Sequence, residues 1–369
     1  MDITTRNFFR LLRAGAFGQE EQIEPISAWK WKRIYQLSLM HGVSALLHDG
    51  LTMCKRQFFV QLPEGLSEEW EKSTRDIEQR NIQTNEQLAA LFSIFNHQQL
   101  RPILLKGQSL GSYYDRPNHH IPEGIDIFFP FQTQGQKADE WGKANGKELC
   151  QKDKYHLEYL RNGVQVSHHH RMFRLTNKLL DHSFQRIVEK EIRESSPNMI
   201  QINGQQVETV SHTLDLLLIL LRIAGSMLND GVSLKEMTDL GIFLRKQGDK
   251  VDYVKLQEWI ERLRLSRMAQ LVGAILVLLL GFTTDEIPFM SDKKVMNISL
   301  ILKDLFLLRQ SQKSDWYFQQ GQDIFVHAAN SSAMFWQVRH SARYFRYYPS
   351  ESFTNLFAAF AHSLSHIEE

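Results

Sequence analysis

The stretch LLKGQSLGSYYDRPNHHIPEGIDIFFP, residues 104–130, decides the fold of this chain. Helical periodicity ends at Arg101, and alternating, β-rich segments begin. The pattern predicts a strand over 103–106, a Lys-Gly turn, and a helix over about 108–114. A second strand over 125–129 carries one acidic residue, Asp126.

The composition of the whole chain is that of a globular protein, and its length is enough for two or three domains. The 369 residues are 43% hydrophobic and 23% charged, and the net charge is +1. This balance argues against a general nucleic-acid-binding surface, which needs a basic excess. The two cysteines, Cys54 and Cys150, are too far apart in sequence for a C-x-x-C zinc motif, and we expect idle thiols in a reducing compartment.

The most apolar runs, 214–221 and 271–281, are shorter than the roughly 20 residues that a bilayer crossing needs. We interpret them as buried core helices, and the first residues lack the pattern of a signal peptide. The expectation is a cytoplasmic protein with no membrane partner.

The order of the patterns predicts an α+β fold with three parts: a helical region over 1–100, a mixed α/β domain over 101–210, and a helical domain over 211–369. In the first part, Ser67 is the expected N-cap of a long helix that ends near His97. In the second, Asn-Gly pairs at 162–163 and 203–204 predict tight hairpins, and a third strand is expected over 164–170. In the third, helices are expected over 212–228, 233–247, 253–263 and 265–281 and after Lys293. The basic, aromatic segment 335–349 fits a half-buried amphipathic helix better than a base-stacking surface.

The Lys-Gly pair between a strand and a helix is a pattern with a chemical use. A helix N-terminus presents unpaired amides, here beginning at Gln108, that attract phosphate. Gly107 would let a ligand approach the backbone, and Lys106 would add a positive charge. The plainer interpretation is a glycine turn beside a surface lysine.

The arrangement of Lys106-Gly107, Leu110, the pair Tyr113-Tyr114, a proline-containing loop and an Ile-Asp-Ile strand resembles the bacterial uncharacterised nucleotidyltransferase family. That family belongs to the DNA polymerase beta-like nucleotidyltransferase superfamily. Its pattern is approximately L-K-G-x-x-L-x-x-x-Y-Y followed by D-P-x-x-R-P-x-G-D-I-D-L, and the resemblance covers most of the chain.

The resemblance implies a nucleotidyltransferase-like α/β core, flanked by helical regions, that transfers a nucleotidyl group from an NTP to an acceptor. In that chemistry two carboxylates, one residue apart on a strand, share a face and hold two Mg²⁺ ions. A third carboxylate on a neighbouring strand completes the site.

The chain departs from its family at these carboxylates. Asp126 matches the second aspartate, but Gly124 stands at the first. The family's V-E-hydrophobic-H-W-R segment corresponds to residues 166–171, which place Ser167 at the glutamate. The sequence therefore predicts a degenerate metal site with one of three carboxylates left.

Two substitutes for the lost ligands remain open. Glu123 lies three residues before Asp126, so on a regular strand it would point to the opposite face, and only a bulge would turn it inward. His168 and His170 share a strand face and with Asp126 could bind a softer ion such as Zn²⁺ or Mn²⁺. Otherwise these histidines belong to a polar strand face.

Two functions follow, and whether the chain is an enzyme stays open between them. The first is a family member that binds a nucleotide through Lys106, Gly107 and Gln108, or binds a protein partner, with impaired transfer and no required metal. The second is an active but atypical nucleotidyltransferase that uses Mg²⁺ or Mn²⁺ at Asp126 with Glu123 or histidines. The acceptor cannot be read from the sequence.

Overall fold

The computed structural model describes residues 1–58, 60–229, 231–290 and 343–355. The helix predicted after Lys293 and residues 335–342 of the basic, aromatic segment lie outside these ranges. Within them the α-helices are α1 Ile3–Phe17, α2 Ala28–Met40, α3 Ser44–Cys54, α4 Leu66–His97, α5 Gln108–Gly111, α6 Gln132–Asn145, α7 Lys178–Glu194, α8 His212–Asn229, α9 Leu234–Gln247, α10 Tyr253–Arg262 and α11 Ser266–Leu280. Short 3₁₀ turns lie at Pro117–His119, Gly248–Lys250 and Thr284–Glu286.

The strands form one mixed sheet within the described ranges. They are β1 Ile103–Leu104, β2 Ile125–Phe128, β3 Lys147–Asp153, β4 His156–Arg161, β5 Val164–His169, β6 Asn198–Ile202 and β7 Gln205–Thr209. Their order is β3-β4-β5-β2-β1-β7-β6. The pairs β2–β5 and β1–β7 are parallel and the others antiparallel. The predicted α+β fold, with the β1–α5–β2 order and β5 in the same sheet, is confirmed.

The two Asn-Gly hairpins are confirmed as well. In the β4–β5 turn Asn162 and Gly163 have φ values of 48° and 79°, and in the β6–β7 turn Asn203 and Gly204 have 47° and 78°. Two consecutive residues with positive φ define the type I′ turn, whose twist matches that of the strands.

The N-cap predicted for the long helix was wrong. α4 begins at Leu66, one residue before Ser67, and its N-cap is Gly65 with φ +76°. Leu66 is buried in the core. Its burial extends the helix past the polar residue that would otherwise have capped it.

The two faces of the sheet have different environments, and this difference positions the site. On one face, apolar residues of β2, β4 and β5 pack against α4 and α6: Ile125, Ile127, Leu157, Tyr159, Val164 and Val166 against Leu88, Leu91, Phe92, Phe95 and Ala138. On the other, Ile103, Leu105 and Phe128 join the larger core built with α7, α8 and the C-terminal helices. Because side chains alternate along a strand, Asp126 and Phe128 share this second face.

The two apolar runs are core helices as predicted. α8 is the one helix in the described ranges that is long and apolar enough to cross a membrane by length and composition, yet 72% of its apolar window is buried. α11 is shorter and is buried over most of its length. The burial of α8 inside the protein is what a core helix requires.

Candidate functional site

Asp126 lies on β2 with its carboxylate almost completely buried (6% exposed). Its Oδ2 lies 3.6 Å from the ammonium Nζ of Lys106, and its Oδ1 lies 2.7 Å from Nε2 of His169. Burial opposes ionisation, but the charge of Lys106 and the hydrogen bond from His169 outweigh it and lower the pKa of Asp126 to about 2. The carboxylate is therefore charged at neutral pH and already has cationic or donor partners.

The Glu123 carboxylate lies close to this centre. Its Oε2 lies 3.9 Å from Lys106 Nζ, and its Oε1 lies 3.1 Å from Lys235 Nζ. The expectation that Glu123 points to the face opposite Asp126 was wrong, because β2 begins only at Ile125 and the chain turns at Gly124, where φ is +95°. The ladder needs no bulge to bring both carboxylates to Lys106.

The backbone at Gly124 leaves little room for a side chain at the position where the family pattern has its first aspartate. A Cβ there would lie 2.7 Å from the carbonyl oxygen of Gln165 on β5, and its φ is one that residues with side chains rarely adopt. Gly107 faces Gly124: its own φ is +65°, and a Cβ on it would lie 3.3 Å from the Gly124 carbonyl oxygen. Two glycines thus allow the Lys-Gly turn and the start of β2 to approach each other. The position that would carry the family's first aspartate does not accept a side chain without a backbone shift.

Ser167 and Glu158 lie beside Asp126 on the next two strands of the sheet. Ser167 on β5 is the direct parallel partner of Asp126, as the sequence predicted for the third carboxylate position. Glu158 on β4 is in turn the antiparallel partner of Ser167, so the three side chains share a face on adjacent strands. Glu158 lies 3.4 Å from Lys152 Nζ and 3.2 Å from His156 Nε2. The sequence analysis missed Glu158, because its position depends on the register between β4 and β5.

The three consecutive histidines at 168–170 contact two different carboxylates, those of Asp126 and Asp139. His169, rather than His168 or His170, contacts Asp126, and its ring stacks on that of His156 at 4.4 Å between centroids. His168 is fully buried and its Nδ1 lies 3.2 Å from Asp139 Oδ1, while His170 Nε2 lies 2.8 Å from Asp139 Oδ2. Because Asp139 belongs to α6, under the other face of the sheet, the structure does not bring His168 and His170 to Asp126.

The donor set around Asp126 does not fit the two-metal centre that the family resemblance implies. Within the described ranges no group of three or more His, Cys, Asp or Glu side chains is arranged to hold a metal ion. Mg²⁺ relies on anionic oxygen, and the two nearby carboxylates share the Lys106 ammonium instead. No step of a reaction can therefore be derived through a metal at these residues.

A cleft of about 580 Å³ opens above Lys106, between the sheet and the helices α8 and α9. Its lining includes four cations, Lys106, Arg174, Arg222 and Lys235, and the acids Glu123, Glu236 and Asp239. One guanidinium nitrogen of Arg222, Nη2, is buried without a hydrogen-bond partner among the described residues. The charge of Arg222 acts on the carboxylates of Asp126 and Asp215, whose pKa values burial raises and Arg222 lowers, and it adds to the positive potential of the cleft.

Asp239 on α9 lines this cleft and contacts three polar side chains around it. It accepts a short hydrogen bond from the Tyr114 hydroxyl and another from Lys235 Nζ at 2.9 Å, and His120 Nε2 lies 3.3 Å from it. Burial opposes ionisation, but Lys235 and His120 lower the pKa of Asp239 well below its usual range. The second tyrosine of the Tyr113-Tyr114 pair thus joins the α/β core to the C-terminal helices.

The Gln108 side chain faces away from the cleft. It is buried, and its Nε2 donates to Asn81 Oδ1 at 3.1 Å and Asn85 Oδ1 at 2.6 Å on α4. α5, which Gln108 begins, is one turn long instead of the predicted seven residues. Of the three residues proposed to bind a nucleotide, Lys106 and Gly107 line the cleft, and Gln108 could contribute only its backbone amide.

Comparison with known proteins identifies a family for this chain. The model of the family described as uncharacterised nucleotidyltransferase matches residues 27–281, more than half of the chain. The chain belongs to this nucleotidyltransferase family. A solved structure described as an antigenic nucleotidyltransferase-like protein from Paracoccidioides brasiliensis is similar at 13% identity and a TM-score of 0.33, over 54% of this chain and 92% of that one. Among curated proteins, none matches the chain significantly.

Proposed function

We propose that this nucleotidyltransferase-family protein binds the phosphate groups of a nucleotide in the cleft above Lys106 and has little metal-dependent nucleotidyl transfer. The observation that carries the proposal is the Lys106 ammonium, which lies within 4 Å of both Asp126 and Glu123. Its positive charge is shared by the two carboxylates that a metal would need.

The cleft offers donors suited to phosphate without a metal. Lys106 is about one third exposed and has further N–H groups for a ligand. Arg222 adds a second positive charge to the cleft lining, and Lys235 lies beside Glu123. The turn at Gly107 lets a ligand approach the backbone, so a phosphate group is expected near the amides of Gly107 and Gln108.

A second candidate is an active, atypical nucleotidyltransferase, and one observation favours it. The turn at Gly124 brings Glu123 to the Asp126 side of the sheet, which supplies a second carboxylate from an unexpected position. In this alternative Mg²⁺ or Mn²⁺ would displace Lys106 and bind Asp126 and Glu123. The acceptor would be a separate molecule.

The proposal includes a bacterial, cytoplasmic setting. Support comes from the thiols, which suit a reducing compartment: Cys54 is buried, and burial raises its pKa to about 11, while Cys150 is exposed and free. Neither thiol lines the cleft.

The binding test is an isothermal titration of ATP into the protein with EDTA and, separately, with Mg²⁺. We expect binding in both, because Lys106 and Arg222 supply the positive charge. Lys106→Met should weaken binding by about 1 to 2 kcal/mol, the scale of a lost charged hydrogen bond. Lys246→Met is the matched control, since Lys246 is exposed, pairs with Asp115 and lies outside the cleft lining. ATP binding that requires Mg²⁺, or equal effects of the two substitutions, would contradict the proposal.

The turnover test measures pyrophosphate release from NTPs with Mg²⁺ or Mn²⁺. We expect little release from the parent protein. Robust release that disappears in Asp126→Asn and in Glu123→Gln would establish the second candidate instead. Ser167→Glu is the restoring variant to compare, because Gly124→Asp would meet the Gln165 carbonyl.

A further inference from the structure

A second concave site lies beside the cleft, at the end of β5. This cavity has a volume of about 640 Å³, within the range of small-molecule sites. It is lined by the β3–β4 turn, the segment after β5 and the first turns of α7: Lys154, Tyr155, Arg171, Arg174, Leu175, Thr176, Lys178, Asp181, His182, Gln185 and Glu189. Arg174 lines both this cavity and the cleft, so the two sites are neighbours.

Three cations surround the ring of Tyr155 in this cavity. Arg171 Cζ lies 4.3 Å from the ring centroid, Lys154 Nζ 4.7 Å and Arg174 Cζ 5.7 Å. The hydrogen bond with Lys154, together with the nearby arginines, lowers the pKa of the Tyr155 hydroxyl. The ring face attracts each of these cations and so helps to gather positive charge on one side of the cavity.

Carboxylates hold the two arginines through one nitrogen each. Arg171 Nη1 donates to Asp181 Oδ2 at 3.0 Å, and Arg174 Nη1 donates to Asp153 Oδ2 at 2.5 Å. A guanidinium has five N–H donors, so both retain donors for a ligand. Orienting a guanidinium with a carboxylate in this way prepares it for bidentate contact with phosphate.

Two lysines add positive charge that the described residues do not neutralise. Lys154 and Lys178 are exposed, and neither forms an ion pair within the described part of the chain. The lining carries four Lys or Arg side chains against two acids, Asp181 and Glu189. The excess of positive charge predicts an anionic ligand.

The N-terminus of α7 does not provide this anion site, because its amides are already bonded. Asn177 Oδ1 accepts from the amides of Leu179 and Leu180. The buried Glu351 carboxylate accepts from the amides of Thr176 and Asn177. Recognition in the cavity must therefore come from the basic side chains.

We propose that this cavity binds the phosphate group of a small phosphorylated molecule. A small molecule is favoured over a nucleic acid because the four basic side chains line one cavity of about 640 Å³. The chain as a whole, with a net charge of +1, also has no basic excess. That this molecule is the acceptor for the neighbouring cleft rests on the second candidate function, the active nucleotidyltransferase, whereas its binding does not.

The test uses inorganic pyrophosphate as the probe and isothermal titration as the measurement. Lys106→Met is included in every variant to weaken the cleft, so that the remaining binding reports the cavity. In this background the double change Lys154→Ala, Lys178→Ala should weaken pyrophosphate binding at least about tenfold, because two charged contacts are lost. Lys147→Ala, Lys190→Ala is the control, with the same loss of charge on exposed residues outside the cavity lining.

The outcomes separate this inference from the proposed function. No pyrophosphate binding in the Lys106→Met background, or equal losses in the cavity and control variants, would overturn it. A 5′-hydroxyl oligonucleotide that binds more tightly than pyrophosphate, and loses binding in the cavity variant, would overturn the small-molecule assignment. Failure of ATP to bind the cleft would refute only the proposed function and would leave the cavity result standing.

Discussion

Replacing Lys106 with Met should strengthen the binding of a divalent cation by Asp126 and Glu123. The Lys106 ammonium lies 3.6 Å from Asp126 and 3.9 Å from Glu123, so a metal held by these two carboxylates would lie about 4 Å from it. Methionine keeps most of the apolar stem and removes the charge. The two carboxylates would keep their contacts with His169 and Lys235 but would lose the cation that lies between them.

The size of the effect follows from the repulsion between the metal and the ammonium. A charge of +2 and a charge of +1 about 4 Å apart repel by about 8 kcal/mol at an effective dielectric constant of about 20. Because the lysine side chain is 36% exposed, solvent screens much of this repulsion. We expect about a quarter of it, or about 2 kcal/mol, to remain. Since 1.4 kcal/mol is tenfold in an equilibrium constant, Mn²⁺ should bind Lys106→Met at least about tenfold more tightly than the parent.

The assay is a titration of Mn²⁺ followed by electron paramagnetic resonance of the free ion. Lys246→Met controls for the change in net charge, and Asp126→Asn in the Lys106→Met background should abolish the gain. Circular dichroism verifies that each variant is folded. Equal Mn²⁺ affinity in the folded Lys106→Met variant and the parent would refute the idea that Lys106 takes the place of a metal.

Three further predictions concern stability. Gly124→Ala should lower the free energy of unfolding by about 2 to 3 kcal/mol, because of its φ of +95° and a carbonyl 2.7 Å from the new Cβ. Gly204→Ala, with φ +78° and open space around it, should cost only about 1 kcal/mol, and equal costs in urea titrations would count against the close approach. Burial raises the pKa of Asp215 to about 7, so the folded state holds its proton more tightly than the unfolded chain, and stability should fall as pH rises from about 4 to 7. Asp215→Asn should remove that slope, and an unchanged slope would be inconsistent with a buried, protonated Asp215. Asp126 affects the pH dependence of stability in the opposite direction. Its pKa is lowered to about 2, so its contribution to stability is complete above about pH 4 and is lost as pH falls toward 2. His169→Ala should reduce this acid-sensitive contribution, as measured by unfolding at pH 6 and pH 3.

The local patterns of the sequence were enough to predict the elements of the core. Alternation over 125–129, the Asn-Gly pairs and the glycine after Lys106 depend on neighbours a few residues away, and β2, both hairpins and the β1–α5–β2 order agree with them. The ends of elements were less well predicted. Burial of Leu66 moved the start of α4, and α5 ended after one turn. The domain boundaries at 100 and 210 stay predictions.

The geometry around Asp126 came only from the tertiary structure. The spacing of Glu123 from Asp126 suggested opposite faces, but the turn at Gly124 brings both to Lys106. The spacing of the histidines suggested His168 and His170 as partners of Asp126, but His169 contacts it, because strand alternation directs His168 to the opposite face. Period-two alternation fixes which residues share a face, not which face meets the cleft.

The sequence by itself determined the family pattern and the fold class, and it predicts that Gly124 and Ser167 stand where the family has carboxylates. Only the tertiary structure decided which charged groups meet, because Lys235, Arg222 and Glu158 reach the site from α9, α8 and β4, far away in sequence. Contacts of this kind depend on strand register and on how helices pack on a sheet face. Such packing is set by the whole core, and so no short stretch of sequence encodes it.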